Sequence, residues 1–237
     1  QPRQREVGHE LHERWTEVGA QLPGTLEVMT AGRYTLAVRD GVPVGRFLYN
    51  PAYLEDRRAV PLDPFSLPFQ VKAFETVKLR GIFGALRDAS PDSWGRRVIE
   101  RELGRMDLTE LDFLLHSPDD RAGALSFGLA KEPPAPFRAY NPVIQLGALL
   151  RLAEEIQRDE VTADAHPQAA QVESLLRPDT AMGGARPKNV VEDEEGLWIA
   201  KFPDRGDRWS NARAERAMLE LARECGINAA ASKIIDV

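Results

Sequence analysis

The stretch Gly183-Gly-Ala-Arg-Pro-Lys-Asn-Val-Val-Glu-Asp-Glu-Glu-Gly-Leu-Trp-Ile-Ala-Lys-Phe202 decides the fold of the second half of the chain. A glycine pair comes first, and two β-rich runs follow, separated by an acidic turn over residues 192–196. Such runs on both sides of a glycine-containing turn predict two strands. After a polar loop, Ser210 or Asn211 caps a helix that runs to Cys225, with apolar residues at helical spacing. The predicted order is glycine loop, strand, turn, strand and helix.

This order brings together the parts of a phosphate-binding site. Glycines allow backbone N–H groups to approach phosphate oxygens closely. Lys201 on the second strand is suited to neutralise phosphate charge, and Glu215 on the helix is suited to hold that lysine in place. Each part also has a common structural explanation: a glycine pair in a turn, a solvated lysine, and a glutamate that stabilises a helix start. Residue types and spacing alone leave both interpretations open.

The composition is typical of a globular protein. The 237 residues suffice for one large domain or two small ones, and 43% of them are hydrophobic. A net charge of -6 argues against a large nucleic-acid interface. Cys225 is the single cysteine, so it forms no internal disulfide, and its place on an apolar helix face predicts a buried side chain. No apolar window is long enough to span a membrane, so we expect a cytoplasmic protein.

The first half of the chain shows hairpin and helix signals. Residues 1–25 are polar and predict a tail. Two β-rich runs lie on either side of Arg39-Asp-Gly41, and Asp-Gly between such runs predicts a hairpin. Ser90-Pro91 predicts the start of a helix, with Gly104 as its end, and Thr109 predicts the start of another.

A proline-rich segment over residues 131–142 predicts a linker, and we place a boundary between subdomains near it. A helix follows, because apolar residues recur at helical spacing from Leu146 to Ile156. The apolar segment Ala229–Val237 predicts the beginning of a further strand. His9 and His12 have helical spacing, but no third ligand accompanies them, so no metal site is predicted.

Several motifs together resemble the HipA family of toxin kinases. Met182-Gly-Gly-Ala-Arg-Pro-Lys-Asn-Val-Val191 and Leu197-Trp-Ile-Ala-Lys-Phe-Pro203 are similar to the nucleotide-binding core of that family. Asn211-Ala-Arg-Ala-Glu215 is similar to its following helix. Gly41-Val-Pro-Val-Gly-Arg-Phe47 and Asp88-Ala-Ser-Pro-Asp-Ser-Trp-Gly95 resemble its first subdomain. The resemblance covers roughly residues 26 to 237.

The resemblance implies an α+β fold in two parts. A small β-rich N-terminal subdomain is expected at residues 26–132, after the polar tail at 1–25. The N-lobe of a protein-kinase-like fold is expected at residues 133–237. In this family the catalytic-loop Asp and the Mg²⁺ ligands belong to a C-terminal helical lobe. We therefore expect that lobe to be absent from this chain, together with every catalytic residue, and we expect the chain alone not to transfer phosphate.

The resemblance also assigns candidate site residues. Gly183, Gly184, Ala185 and Lys188 would lie on or beside the loop that binds the ATP phosphates. Lys201 would contact the phosphates, with Glu215 as its partner on the helix. Many family members carry a serine before the glycines whose autophosphorylation silences the kinase, but Ala181 stands there in this chain. Thr180 is the neighbouring hydroxyl and the candidate for autophosphorylation.

Partners follow from the same resemblance. HipA-like proteins are Ser/Thr protein kinases of toxin–antitoxin modules that phosphorylate translation components, notably aminoacyl-tRNA synthetases. A HipB-like helix-turn-helix antitoxin would be the partner, and DNA would be reached only through it. ATP and Mg²⁺ are the implied cofactors. The alternative is a non-catalytic binding module that docks on an antitoxin or on a separate kinase half.

Overall fold

The structure is a computed structural model that describes residues 13–117, 121, 123–130, 141–142, 145–158 and 186–236. The chain divides into two compact units: Gln1–Ser90 with Leu108–Ala135, and Pro91–Asp107 with Pro136–Val237. The predicted boundary near residue 132 lies close to the division between Ala135 and Pro136. The sequence does not predict that residues 91–107 belong to the second unit.

Six α-helices and one short 3-10 helix, Lys78–Arg80, are present in the described part of the chain, together with two mainly antiparallel sheets, which is compatible with the α+β class. The α-helices of the first unit are α1 (Pro51–Glu55), α2 (Gly84–Asp88) and α4 (Glu110–His116), and those of the second are α3 (Ser93–Leu103), α5 (Leu146–Gln157) and α6 (Asn211–Glu224). Among the described residues, none of the helices has the length and apolar character needed to cross a membrane.

Five strands form the sheet of the first unit: β1 (Arg14–Gln21), β2 (Val28–Arg39), β3 (Val42–Tyr49), β4 (Ala73–Thr76) and β5 (Leu125–Gly128). Their order across the sheet is β4-β3-β2-β1-β5, and every neighbouring pair is antiparallel. The predicted hairpin is confirmed, because Arg39 pairs with Val42. The two turn residues have positive φ angles, 52° at Asp40 and 76° at Gly41. Asp-Gly tolerates this geometry well.

Strand β1 contradicts the predicted polar tail over residues 14–21, whereas residues 1–12 of that prediction lie outside the described residues. β1 lies between β2 and β5, and Val18 on it is fully buried. Thr16 is also buried, and its hydroxyl donates to the Gly128 carbonyl at 3.0 Å and accepts from the Gly128 N–H at 3.1 Å. The local signal is weak because β1 carries few large apolar side chains, and its burial comes from strands on both sides.

The core of the first unit is aromatic. Phe47 and Tyr49 meet edge to face with their ring centroids 4.9 Å apart, and Tyr53 stacks on Tyr49. The Tyr49 hydroxyl donates to the Leu67 carbonyl at 2.6 Å, and the Tyr53 hydroxyl donates to the Val60 carbonyl at 3.0 Å. Buried tyrosines are tolerated when their hydroxyls find such partners.

Helix α4 begins with a capping box and supports a pH-dependent ion pair. Thr109 caps the helix as predicted, and the Asp112 carboxylate accepts from the Thr109 backbone N–H at 2.8 Å. Arg14 donates to the same carboxylate at 2.6 Å. Burial opposes ionisation of Asp112, but the hydrogen bonds from Arg14 and Thr109 outweigh it and hold its pKa at about 2.

Replacing Asp112 with asparagine is expected to lower the free energy of unfolding near neutral pH by about 2 kcal/mol. A carboxyl with a lowered pKa stabilises the fold above its ordinary value of 3.8, and this contribution is lost as the pH falls toward about 2. The difference between wild type and variant should therefore shrink across that acidic range. Urea unfolding at several pH values measures it, with Asp88→Asn on an exposed carboxylate as the control. A difference that is equal at all pH values would contradict the assignment.

The second unit contains a three-stranded sheet of β6 (Asn141–Pro142), β7 (Lys188–Asp193) and β8 (Gly196–Lys201). β6 pairs with β7 in parallel, and β7 pairs with β8 antiparallel through the acidic turn. The two strands and the helix predicted from the opening stretch are confirmed. Residues 227–236 carry neither helix nor strand, so the strand predicted from Ala229 is not formed there.

Helix α3 begins two residues later than predicted. Asp92, not Ser90, is its N-cap, and the Asp92 carboxylate accepts from the Gly95 N–H at 2.8 Å. Gly104 ends the helix with a φ of 61°, as predicted. Both Ser90 and Asp92 are good caps, so local propensity does not choose between them. The choice follows from the bonds that Asp92 makes elsewhere in the unit.

Helix α6 has an apolar face that the described residues leave exposed. No residue of α6 is buried, and Met218 is 64% exposed. The prediction that Cys225 is buried is wrong, because its side chain is exposed. Helical spacing identifies an apolar face correctly, but it does not say what covers that face.

Candidate functional site

Lys201 and Glu215 meet at the surface of the second unit. Lys201 is the last residue of β8, and Glu215 lies in the second turn of α6. The Lys201 ammonium donates to the Glu215 carboxylate, and their side chains are 47% and 45% exposed. An ion pair this exposed contributes only about 0–1 kcal/mol to stability. Both groups therefore remain accessible to a ligand.

A pocket of about 590 Å³ lies beside this ion pair. Its lining combines apolar residues such as Leu146, Val191 and Leu219 with the charged pair Lys201 and Glu215. This volume falls within the range of small-molecule sites, which are mostly apolar with a few fixed polar groups. The pocket lies entirely within the second unit.

Residues 230–236 line a further part of the pocket, and Lys233 attaches them to the β7–β8 turn. The Lys233 ammonium lies 4.2 Å from the centroid of the Trp198 ring and donates to the carboxylates of Asp193 and Glu195. Hydrogen bonds, first from Lys233 and then from the Trp198 indole, hold the pKa of Asp193 at about 2. The pairing with Asp193 raises the pKa of Lys233. In the sequence, Lys233 is a single lysine in an apolar segment, and this pattern does not predict which residues it contacts.

Lys188 lies directly opposite Lys201 in the β7–β8 register. Residues opposite each other in an antiparallel pair share a face of the sheet, and like charges there repel. Each lysine has its own carboxylate: Glu215 for Lys201, and Asp92 for Lys188 at 2.8 Å.

The environments of the two lysines differ. Lys188 is buried, whereas Lys201 is exposed. The Lys188 ammonium also donates to the Arg186 carbonyl at 3.3 Å, and the Trp94 indole donates to the Lys188 carbonyl at 3.2 Å. Lys188 therefore anchors α3 to the start of β7. The sequence does not predict these partners of the Lys188 ammonium.

The remaining predicted residues lie outside the described part of the chain. They are Thr180, Gly183, Gly184 and Ala185. Arg186, the first described residue after them, forms an ion pair with Asp207. Within the described residues, no group of three or more His, Cys, Asp or Glu side chains is arranged to hold a metal ion.

The fold and the site together define an α+β protein with a pocket suited to a small molecule and a lysine–glutamate pair at that pocket. The sequence of residues 26–128 matches the family model of the HipA N-terminal domain. Residues 26–128 therefore carry a HipA N-terminal domain, and this match confirms the resemblance to the HipA family over that part of the chain. No curated protein matches the chain.

Proposed function

We propose that this chain provides the ATP-phosphate-binding part of a Ser/Thr protein kinase toxin of a HipA-like toxin–antitoxin module. The observation that carries the proposal is the Lys201–Glu215 ion pair beside the pocket. The family match adds the context of toxin–antitoxin systems. A lysine on a strand, held by a glutamate on the next helix, is the arrangement with which protein kinases bind ATP phosphates.

The residues of the pocket suit a nucleotide. The Lys201 ammonium would neutralise phosphate charge, and Glu215 would keep that ammonium oriented. The apolar lining, which includes Leu146 and Val191, offers a surface for a base. Gly183, Gly184 and Ala185 are proposed to approach the phosphates through their backbone N–H groups.

Mg²⁺ and the catalytic base are proposed to be supplied from outside the described residues. No cluster of metal ligands is present among the described side chains. In kinases an Asp and an Asn hold Mg²⁺, and a catalytic-loop Asp accepts the proton of the substrate hydroxyl. The proposed protein substrate is a translation component such as an aminoacyl-tRNA synthetase. The proposed partner is a HipB-like helix-turn-helix antitoxin.

Replacing Lys201 with alanine is expected to weaken ATP binding by about 10-fold or more, because a charge-assisted contact to phosphate contributes about 1.5–3 kcal/mol. Isothermal titration of the chain with ATP measures the effect. Lys78→Ala, which removes an exposed lysine of the first unit, is the matched control and should leave binding unchanged. Equal affinity of wild type and Lys201→Ala would contradict the proposal, as would the absence of ATP binding at millimolar concentration.

The exposed apolar face of α6 favours a second candidate, a non-catalytic module that docks on a protein partner. Met218 and Leu221 are 64% and 50% exposed, and Ile227 just beyond the helix is 61% exposed. Apolar side chains grouped in this way are common at protein interfaces. ATP titration separates the candidates, because a docking module binds no nucleotide and loses its partner on Met218→Glu. A nucleotide site responds to Lys201→Ala instead.

A further inference from the structure

The Asp207 carboxylate is the centre of a group of hydrogen bonds in the loop between β8 and α6. Asp207 accepts from the Arg186 guanidinium, from the Asn211 side-chain amide at 2.7 Å and from the Asp204 N–H at 3.1 Å. Its side chain is only 16% exposed. Asp207 therefore accepts from three separate segments: Arg186 just before β7, Asp204 in the loop itself, and Asn211 at the start of α6.

A second contact ties the same loop to α5. The Gln157 side chain donates to the Pro203 carbonyl at 3.2 Å and accepts from the Arg205 N–H at 3.0 Å. Both contacts lie within the second unit. The loop between Lys201 and Glu215 is consequently fixed at several points rather than at its two ends alone.

Packing holds α6 only in part, because none of its residues is fully buried and Leu219 and Ala222 are half-buried. The Lys201–Glu215 pair adds little, since nearly half of each side chain is exposed. The first turn of α6 has two further contacts: Asp207 accepts from the Asn211 side chain, and Arg213 pairs with Asp236, which is more exposed than Asp207. Because Asp207 also binds Arg186, it joins the start of α6 to the residue that directly follows the predicted glycine loop.

We propose that Asp207 is a positioning residue that fixes α6 against β8 and so aligns Glu215 with Lys201 for phosphate binding. This inference rests on the proposed ATP site and names a residue that supports it without touching the nucleotide. Asp207 carries the charge that Arg186 requires and the acceptor that Asn211 requires. An asparagine keeps the size, loses the charge and replaces one of the two acceptor oxygens with a donor, so it weakens the ion pair with Arg186 and cannot accept all three bonds.

The test compares Asp207→Asn with Asp107→Asn in the full chain. Asp107 is a matched control, because it is an exposed carboxylate of the same unit that pairs with Arg105 at 2.9 Å and lies outside the pocket lining. Titration with ATP and with adenosine measures the phosphate-dependent part of binding. Hydrogen–deuterium exchange of the peptide covering residues 211–224, without nucleotide, measures how firmly α6 is held.

Asp207→Asn is expected to weaken ATP binding by about 5–10-fold and to leave adenosine binding within about 2-fold. Exchange in residues 211–224 should accelerate by about 3-fold or more, and Asp107→Asn should change neither quantity. Unchanged exchange would overturn the inference whatever the titrations show. Equal weakening of ATP and adenosine would also overturn it, because a general structural defect has that signature. If the wild-type chain binds no ATP, the proposed function fails, while the exchange rates still decide whether Asp207 fixes α6.

Discussion

Replacing Gly45 with alanine is expected to destabilise the first unit by about 4 kcal/mol or more. A Cβ atom at this position would lie 1.6 Å from the Gly81 carbonyl oxygen and 2.9 Å from the Tyr34 ring. The first of these atoms is backbone, so no side-chain rotation relieves the overlap. Ordinary overpacking costs about 1–3 kcal/mol, and a forced separation of two backbone segments costs more. The Tyr34 hydroxyl donates to the same Gly81 carbonyl at 2.8 Å. The Gly45→Ala substitution is therefore expected to disturb this buried hydrogen bond as well.

Urea unfolding of the Gly45→Ala variant measures the loss. Gly41→Ala is the control on the same hairpin, because a Cβ there meets nothing within 4 Å and only the φ of +76° is unfavourable. That change should cost about 1–2 kcal/mol. Similar losses of stability in the two variants would contradict the close approach of β3 to Gly81.

Breaking the buried ion pair between Lys188 and Asp92 is expected to cost about 3–5 kcal/mol, because the remaining partner is left as an uncompensated buried charge. The side chains are 7% and 12% exposed, so water does not replace the missing partner. Asp92→Asn removes the charge and keeps an oxygen that caps α3. Lys188→Met removes the ammonium and keeps a chain of similar length.

The double variant Asp92→Asn with Lys188→Met should lose less stability than the sum of the two single losses, and the difference should be about 2 kcal/mol. Urea unfolding of the four proteins completes the cycle. The same cycle tests the role of Lys188, since a lysine whose ammonium serves a ligand instead would give small and additive losses. A coupling near zero would instead favour the predicted place of Lys188 beside the phosphate loop.

Much of the local structure could be predicted from short-range signals. The Asp40-Gly41 turn, the Gly104 helix end and the Thr109 cap each depend on backbone preferences of one or two residues. The hairpin β7–β8 and helix α6 follow from patterns within about twenty residues. The contact between Lys201 and Glu215 is of the same kind, because a short loop joins their strand and helix.

The rest depends on partners far away along the chain. β1 has too little apolar character to predict a strand, and it is one because β2 and β5 lie on either side. Asp92 and Lys188 are 96 residues apart, and neither residue type by itself predicts a buried ion pair. Cys225 stands on an apolar face in sequence and is exposed in the structure, since periodicity records which side is apolar and not what lies against it.

The amino-acid sequence alone is therefore enough for the α+β class, for the HipA N-terminal domain at residues 26–128, and for the strand–helix unit that carries Lys201 and Glu215. Only the tertiary structure shows that residues 91–107 belong to the second unit. It also shows that Lys188 is buried and Lys201 exposed, and that Arg186 and Asn211 both donate to Asp207. The physical reason is the range of the interactions. Turns, caps and helical faces arise from neighbouring residues, whereas the burial and pairing of a charge depend on which distant segments fold against it.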